Sequence, residues 1–97
     1  MIARVYRVEW RPMARKDLQG IARYIANDSP VRARSFEQEL RGKTVLLARH
    51  PEIGRPGRLS GTRELIAHPS YIVLYRVLYE AGTVQILRVK HAARQMP

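Results

Sequence analysis

The chain has 97 residues, enough for one modest hydrophobic core and too few for two domains. Hydrophobic residues make up 45%, so the composition is that of a globular domain; the absence of cysteine excludes disulfides, thiolate metal sites and thiol nucleophiles together. Eighteen Lys and Arg against eight Asp and Glu leave a net charge of +10, which points to polyanions or acidic proteins as partners.

The basic charge is concentrated in the second half. No acid follows Ala81, while Arg88, Lys90, His91 and Arg94 fall close together. Between Leu40 and Arg63 only Glu52 opposes Arg41, Lys43, Arg49, Arg55, Arg58 and Arg63. The opening MIARVYRVEWRP lacks the unbroken apolar stretch of a signal peptide, and no apolar run approaches the ~20 residues of a membrane span. A cytoplasmic protein without membrane contact is the expectation.

Ile2 to Trp10 alternates loosely, with Ile2, Tyr6, Val8 and Trp10 on one parity, and reads as a strand. Pro12 ends it and presets a helical φ for the next segment. Ala14, Leu18, Ile21 and Ile25 then form one helical stripe, with Arg15, Lys16, Gln19 and Arg23 on the outer face. Gly20 weakens this helix or marks the close approach of a neighbouring element.

At Asn27-Asp28-Ser29-Pro30 the chain breaks and restarts. Ser29 is placed to cap a second helix, and Pro30 suits its first position. Ala33, Phe36, Leu40, Thr44 and Leu47 make its stripe, which Val45 and Leu46 broaden, and the helix is expected to end near His50. Two one-faced helices joined by a short polar break form a hairpin that must lie on another layer.

Pro51 to Gly61 (PEIGRPGRLSG) is too rich in proline and glycine for a regular element. Thr62 to Ala67 is a short strand candidate, and His68-Pro69-Ser70 turns the chain. In Tyr71 to Tyr79, residues Tyr71, Val73, Tyr75, Val77 and Tyr79 share one face and Ile72, Leu74, Arg76 and Leu78 the other. Apolar side chains on both faces predict a central strand covered by helices on one side. Glu80-Ala81-Gly82 is a tight connection, so Thr83 to Val89 returns antiparallel. The whole is a single domain over residues 1–97, α+β in class. Its order is β-α-α-β-β-β, with a two-helix hairpin packed on a small, mainly antiparallel sheet of about four strands.

Several pieces together resemble the RelE/ParE toxin superfamily. They are Trp10-x-Pro12-x-Ala14-x-x-Asp17-Leu18-x-x-Ile21-x-x-Tyr24-Ile25, the HP-x-x-GRPGR-x-x-GTREL stretch from His50 to Leu65, Tyr71-Ile-Val-Leu-Tyr-Arg76, and Ile86-Leu-Arg88-Val-x-His91-Ala-Ala-Arg94-Gln. The resemblance implies a growth-inhibiting toxin encoded beside an antitoxin that folds on binding. It also implies one of two activities. RelE-like members cut messenger RNA at the ribosome, whereas ParE-like members poison DNA gyrase; the shared fold does not choose between them.

Metal-free RNA cleavage needs a base for the 2′-hydroxyl, a cation for the charged transition state and an acid for the leaving oxygen. Arg63, Arg88 and Arg94 are the candidate cations, and His91 is the candidate proton shuttle, since imidazole titrates near neutrality. Glu64 is a candidate base, although in a strand it would point away from Arg63. Arg55, Arg58, Lys90 and Arg94 are candidates for nucleic-acid contact. Each has a plainer reading: Arg63 and Glu64 in cross-strand ion pairs, His91 and His68 in packing, His50 at a helix end, and the tyrosine stripe as core.

No histidines sit at metal-ligand spacing, so neither a metal nor another cofactor is expected. The chain departs from the RNA-cutting pattern at Ala67, where RelE-like enzymes carry an arginine. It departs again in the tail, where His91-Ala92-Ala93-Arg94 replaces an arginine and a later tyrosine. A non-enzymatic gyrase inhibitor is therefore the alternative to a ribosome-associated mRNA endoribonuclease, and a basic nucleic-acid-binding module is the third reading. In the toxin readings an acidic antitoxin is the expected partner, anchored in a groove beside the helices with Arg55, Arg58 and Arg63 at its rim.

Overall fold

The structure, a computed structural model, describes residues 4–92. Its elements are β1 (Arg7–Trp10), α1 (Pro12–Ala26), α2 (Pro30–Val45), a 3-10 turn (Leu46–Ala48), β2 (Arg55–Pro56), β3 (Arg63–His68), β4 (Tyr71–Leu78) and β5 (Thr83–His91). The strands form one mixed sheet in the order β1-β5-β4-β3-β2. The β2–β3, β3–β4 and β4–β5 pairs are antiparallel, and only β1 runs parallel to its neighbour β5.

Both helices begin as their sequences predict. Pro12 and Pro30 occupy the first turns, and the Ser29 hydroxyl accepts the Arg32 N–H at 3.2 Å, satisfying a donor that no helical carbonyl can reach. The α2 stripe is buried throughout: Ala33, Phe36, Leu40, Thr44 and then Leu47 of the 3-10 turn. Val45 and Leu46 do not broaden it. They are 65% and 48% exposed, because the α-helix stops at Val45 and the tighter turn swings only Leu47 inward.

The core lies between the hairpin and one sheet face. Ala14, Leu18, Phe36 and Leu40 meet Ala67 of β3, Val73 and Tyr75 of β4, and Val84, Ile86 and Val89 of β5. β4 is interior, as its two apolar faces predict. On the helix-free face its Arg76 donates to Gln85 of β5 at 2.8 Å, and Gln85 donates to Glu9 of β1 at 2.8 Å, a polar ladder across three strands. Gln85, followed by desolvation and Arg11, is the chief influence on Glu9, whose carboxyl is held below its usual value.

Two further features depart from the sequence reading. The proline- and glycine-rich stretch contains a two-residue strand, Arg55–Pro56, on the outer edge of β3, so the sheet has five strands. Pro56 lacks the N–H that a central strand would need, and an edge position tolerates this. Gly20 marks no close approach, since a Cβ built there meets nothing within 4 Å. The close approach is at Gly54, where a Cβ would lie 2.7 Å from the Tyr75 ring and hydroxyl and 2.8 Å from the Glu64 carbonyl. Among the described residues no helix is long and apolar enough to cross a membrane.

Candidate functional site: the groove between α1 and β5

β1 covers β5 only from Thr83 to Ile86. Arg11 donates a last backbone bond to the Ile86 carbonyl at 2.9 Å, and the chain then turns into α1. β5 runs on to His91, so its last residues have an outer edge with no β1 partner. Between this edge and α1 opens a groove of about 720 Å³, lined by Lys16, Asp17, Gly20, Ile21, Tyr24, Tyr71, Arg88, Val89, Lys90 and His91.

A bulge shapes the β5 wall. Leu74 faces Arg88 across the β4–β5 ladder while Tyr75 faces Ile86, so Leu87 is an inserted residue. The insertion puts Ile86 and Val89, three positions apart, both into the core. The Asp17 carboxylate of α1 reaches this irregular segment. It accepts from the Val89 N–H at 2.9 Å and from the Arg88 guanidinium at 2.7 Å and 3.1 Å, one bond to each oxygen. The Asp17 side chain is 16% exposed and that of Arg88 39%. The hydrogen bond to Asp17 raises the Arg88 pKa above its usual value and outweighs the opposing effect of burial, so Arg88 stays charged.

Beyond Arg88 the wall is aromatic and basic. Tyr71 and His91 are directly opposite in the ladder, their rings 5.1 Å apart and edge to face. Tyr71 also packs edge-on against Phe36 at 5.1 Å and lies 5.8 Å from His68. The His68 Nδ1 accepts the Ser70 N–H at 3.1 Å, and the Ser70 carbonyl in turn accepts the Ala92 N–H at 2.8 Å, so the β3–β4 turn secures the end of β5. On the other wall Tyr24 is 73% exposed, and Gly20 leaves a notch beside it.

A second, smaller cavity of about 260 Å³ lies on the helix-free face, lined by Arg58, Leu59, Glu64, Ile72, Leu74 and Lys90. Lys90 lines both cavities.

The groove therefore brings Arg88, Lys90 and His91 together, and Arg63 is elsewhere. Arg63 lies opposite Tyr75, and its guanidinium donates to the carbonyls of Gly54 at 2.7 Å and Glu52 at 3.3 Å. Arg55 is engaged with Glu64, whose Oε1 accepts the Arg55 Nε–H at 3.1 Å and lies 3.1 Å from its Nη2 in an ion pair. Glu64 indeed points away from Arg63. Arg58 faces the second cavity, so neither Arg55, Arg58 nor Arg63 lines the groove beside α1. Arg94 lies outside the described residues. Of the tyrosine stripe, Tyr75 is core, Tyr71 joins the groove wall, and Tyr79 lies past the end of β4 with its hydroxyl on Glu52 at 2.5 Å.

In the sequence Asp17 and Tyr24 stand out only as positions of the family motif, and Lys16 only as an outer-face residue of α1. A signal for Asp17 existed, because it is the only acid in α1 and it adjoins the buried Leu18. Its partners stand 71 and 72 residues away in the chain, and no local pattern announces them.

The sequence pattern of the ParE toxin of type II toxin–antitoxin systems matches residues 8–96. Y4kP of Sinorhizobium fredii, described as a toxin, is 38% identical over 92 residues, covering 94% of this chain and 93% of that one. Toxin RelE2 of Caulobacter vibrioides is 39% identical over 85 residues, covering 88% and 91%. The fold is shared with a chain of the chromosomal ParDE toxin–antitoxin system of P. aeruginosa, at a TM-score of 0.78 and 24% identity over 90% of this chain and 96% of that one. With the element order and these relatives in agreement, the chain belongs to the ParE toxin family of type II toxin–antitoxin systems.

Proposed function

We propose that this toxin arrests growth by binding a protein target, DNA gyrase, rather than by cutting RNA. The observation that carries this reading is the occupation of two of the cations a ribonuclease would use. Arg88 is bound at two of its nitrogens by Asp17, and Arg63 is held by two loop carbonyls away from the groove. A phosphorane-like transition state needs donors aimed at it and unoccupied before reaction. What the groove offers instead is a set of aromatic side chains, Tyr24, Tyr71 and His91, among the charged Lys16, Asp17, Arg88 and Lys90, and aromatic residues and arginine are enriched at protein-docking surfaces.

The ribonuclease reading rests on His91 and Lys90, consecutive residues of β5 that both line the groove. It assigns catalysis to Arg63, Arg88 and His91, and contact with ribosome-bound mRNA to Arg55, Arg58, Lys90 and Arg94. In either case an acidic antitoxin, steered by the +10 charge and ordered on binding, neutralises the toxin in the cytoplasm by covering the groove.

Induction of the chain in a bacterium, followed by methionine and thymidine incorporation over the first minutes, decides between them. Gyrase binding predicts that thymidine uptake falls first, that the purified chain inhibits supercoiling, and that His91→Ala remains toxic. A first fall in methionine uptake together with a harmless His91→Ala would overturn the proposal.

A further inference from the structure

We infer that Asp17 is a positioning residue for the toxin's working surface: an acid that sets the direction of a basic groove wall. The inference rests on the reading of the α1–β5 groove as that surface. β5 loses its β1 neighbour after Ile86 and carries the inserted Leu87 immediately afterwards. An unpaired strand end with a bulge has no ladder on its outer side to hold its twist. Asp17 takes the place of the missing strand. One oxygen accepts the Val89 N–H, as a β1 carbonyl would have done, and both oxygens grip Arg88. Lys90 and His91 follow directly, so the carboxylate of α1 determines where the groove's cationic and aromatic side chains project.

Charge and positioning predict opposite effects here. On charge alone, removing an acid from a toxin of net charge +10 should strengthen its attraction to an acidic protein or a polyanion. Positioning predicts a weaker toxin. Asp17→Asn keeps an amide oxygen for the Val89 N–H and so keeps the fold, but it removes the carboxylate charge and sets an NH2 donor against the Arg88 Nη2, which weakens the hold on Arg88. Glu39→Gln changes the charge equally on the exposed side of α2, at a residue that does not line the groove.

The test is growth arrest over a graded inducer range at matched intracellular toxin, for the wild type, Asp17→Asn, Arg88→Lys, their double variant and Glu39→Gln. Melting curves and Val89 amide exchange are measured on each purified chain. Asp17→Asn is expected to lose about tenfold in potency while melting close to the wild type, and Glu39→Gln to lose none. Because Asp17 acts through Arg88, the double variant is expected to be no weaker than the weaker single one. Asp17→Ala, which removes the acceptor altogether, is expected to speed Val89 exchange by about tenfold or more.

An Asp17→Asn toxin as potent as the wild type, or more so, overturns the inference, and so do two losses that simply multiply. Failure of the gyrase reading would appear separately, in which precursor's uptake falls first, and would leave this cycle of variants intact.

Discussion

Removing one oxygen from the core gives the sharpest test of how the basic loop is held. Tyr75 is fully buried, and its hydroxyl both accepts the Gly54 N–H at 2.9 Å and donates to the Pro51 carbonyl at 2.8 Å. Tyr75→Phe keeps the ring and leaves both loop groups without a partner. Gly54 is buried, so its N–H bears the full cost of an unmade bond, about 1–3 kcal/mol; Pro51 is half-buried, and water relieves part of its share. The sum is about 2–3 kcal/mol, or roughly 10–20 °C in melting temperature for a domain of this size.

Thermal unfolding followed by circular dichroism measures the loss, with Tyr79→Phe as the control. Tyr79 is exposed, and losing its bond to Glu52 should scarcely move the curve. Gly54→Ala adds a second arm. Its new Cβ would overlap the Tyr75 ring and hydroxyl and the Glu64 backbone. Adding Tyr75→Phe to Gly54→Ala relieves only the hydroxyl contact, so the double variant should stay well below the wild type. A shift under a few degrees for Tyr75→Phe would refute the reasoning, because it would mean that solvent already satisfies the loop.

The same hydroxyl gives an alkaline signature. Burial raises the Tyr75 pKa above its usual 10.0, so its stabilising effect is complete below pH 10 and is lost as pH rises toward the folded-state value; the stability gap between the wild type and Tyr75→Phe should narrow above pH 10 in denaturant titrations. Ser29→Ala removes the cap of α2 and should cost about 1 kcal/mol by urea denaturation, with no such loss for Ser29→Asp. Gly20→Ala places a methyl in open space in the middle of α1 and should stabilise the protein by about 0.5–1 kcal/mol; a lower melting temperature would show that the helix needs the glycine backbone there.

Much of this protein is legible in its sequence because much of it is governed by local periodicity. The stripe of Ala33, Phe36, Leu40 and Thr44 identifies a buried helical face, and the alternation from Tyr71 onward identifies an interior strand. Pro12 and the Ser29-Pro30 pair mark helix starts from steric and capping requirements that operate within a single turn. Charge is equally local to read, and the basic second half is visible in the order of residues alone. The motifs that resemble the toxin superfamily run along these elements, so fold and family could be read together.

The groove belongs to a different order of information. Its floor exists because β1 departs from β5 after Ile86, because Leu87 is inserted against β4, and because Asp17 reaches residues more than seventy positions away. The same is true of Arg63, which the sequence groups with Arg88 as a cation and which the fold ties to the carbonyls of Glu52 and Gly54. Side-chain period and turn chemistry specify what each segment becomes, since they depend on neighbours a few residues apart. Which segment lies beside which, and therefore which charges are already neutralised, is decided only when the apolar faces close on one another, for burial is non-directional and carries no record of pairing along the chain.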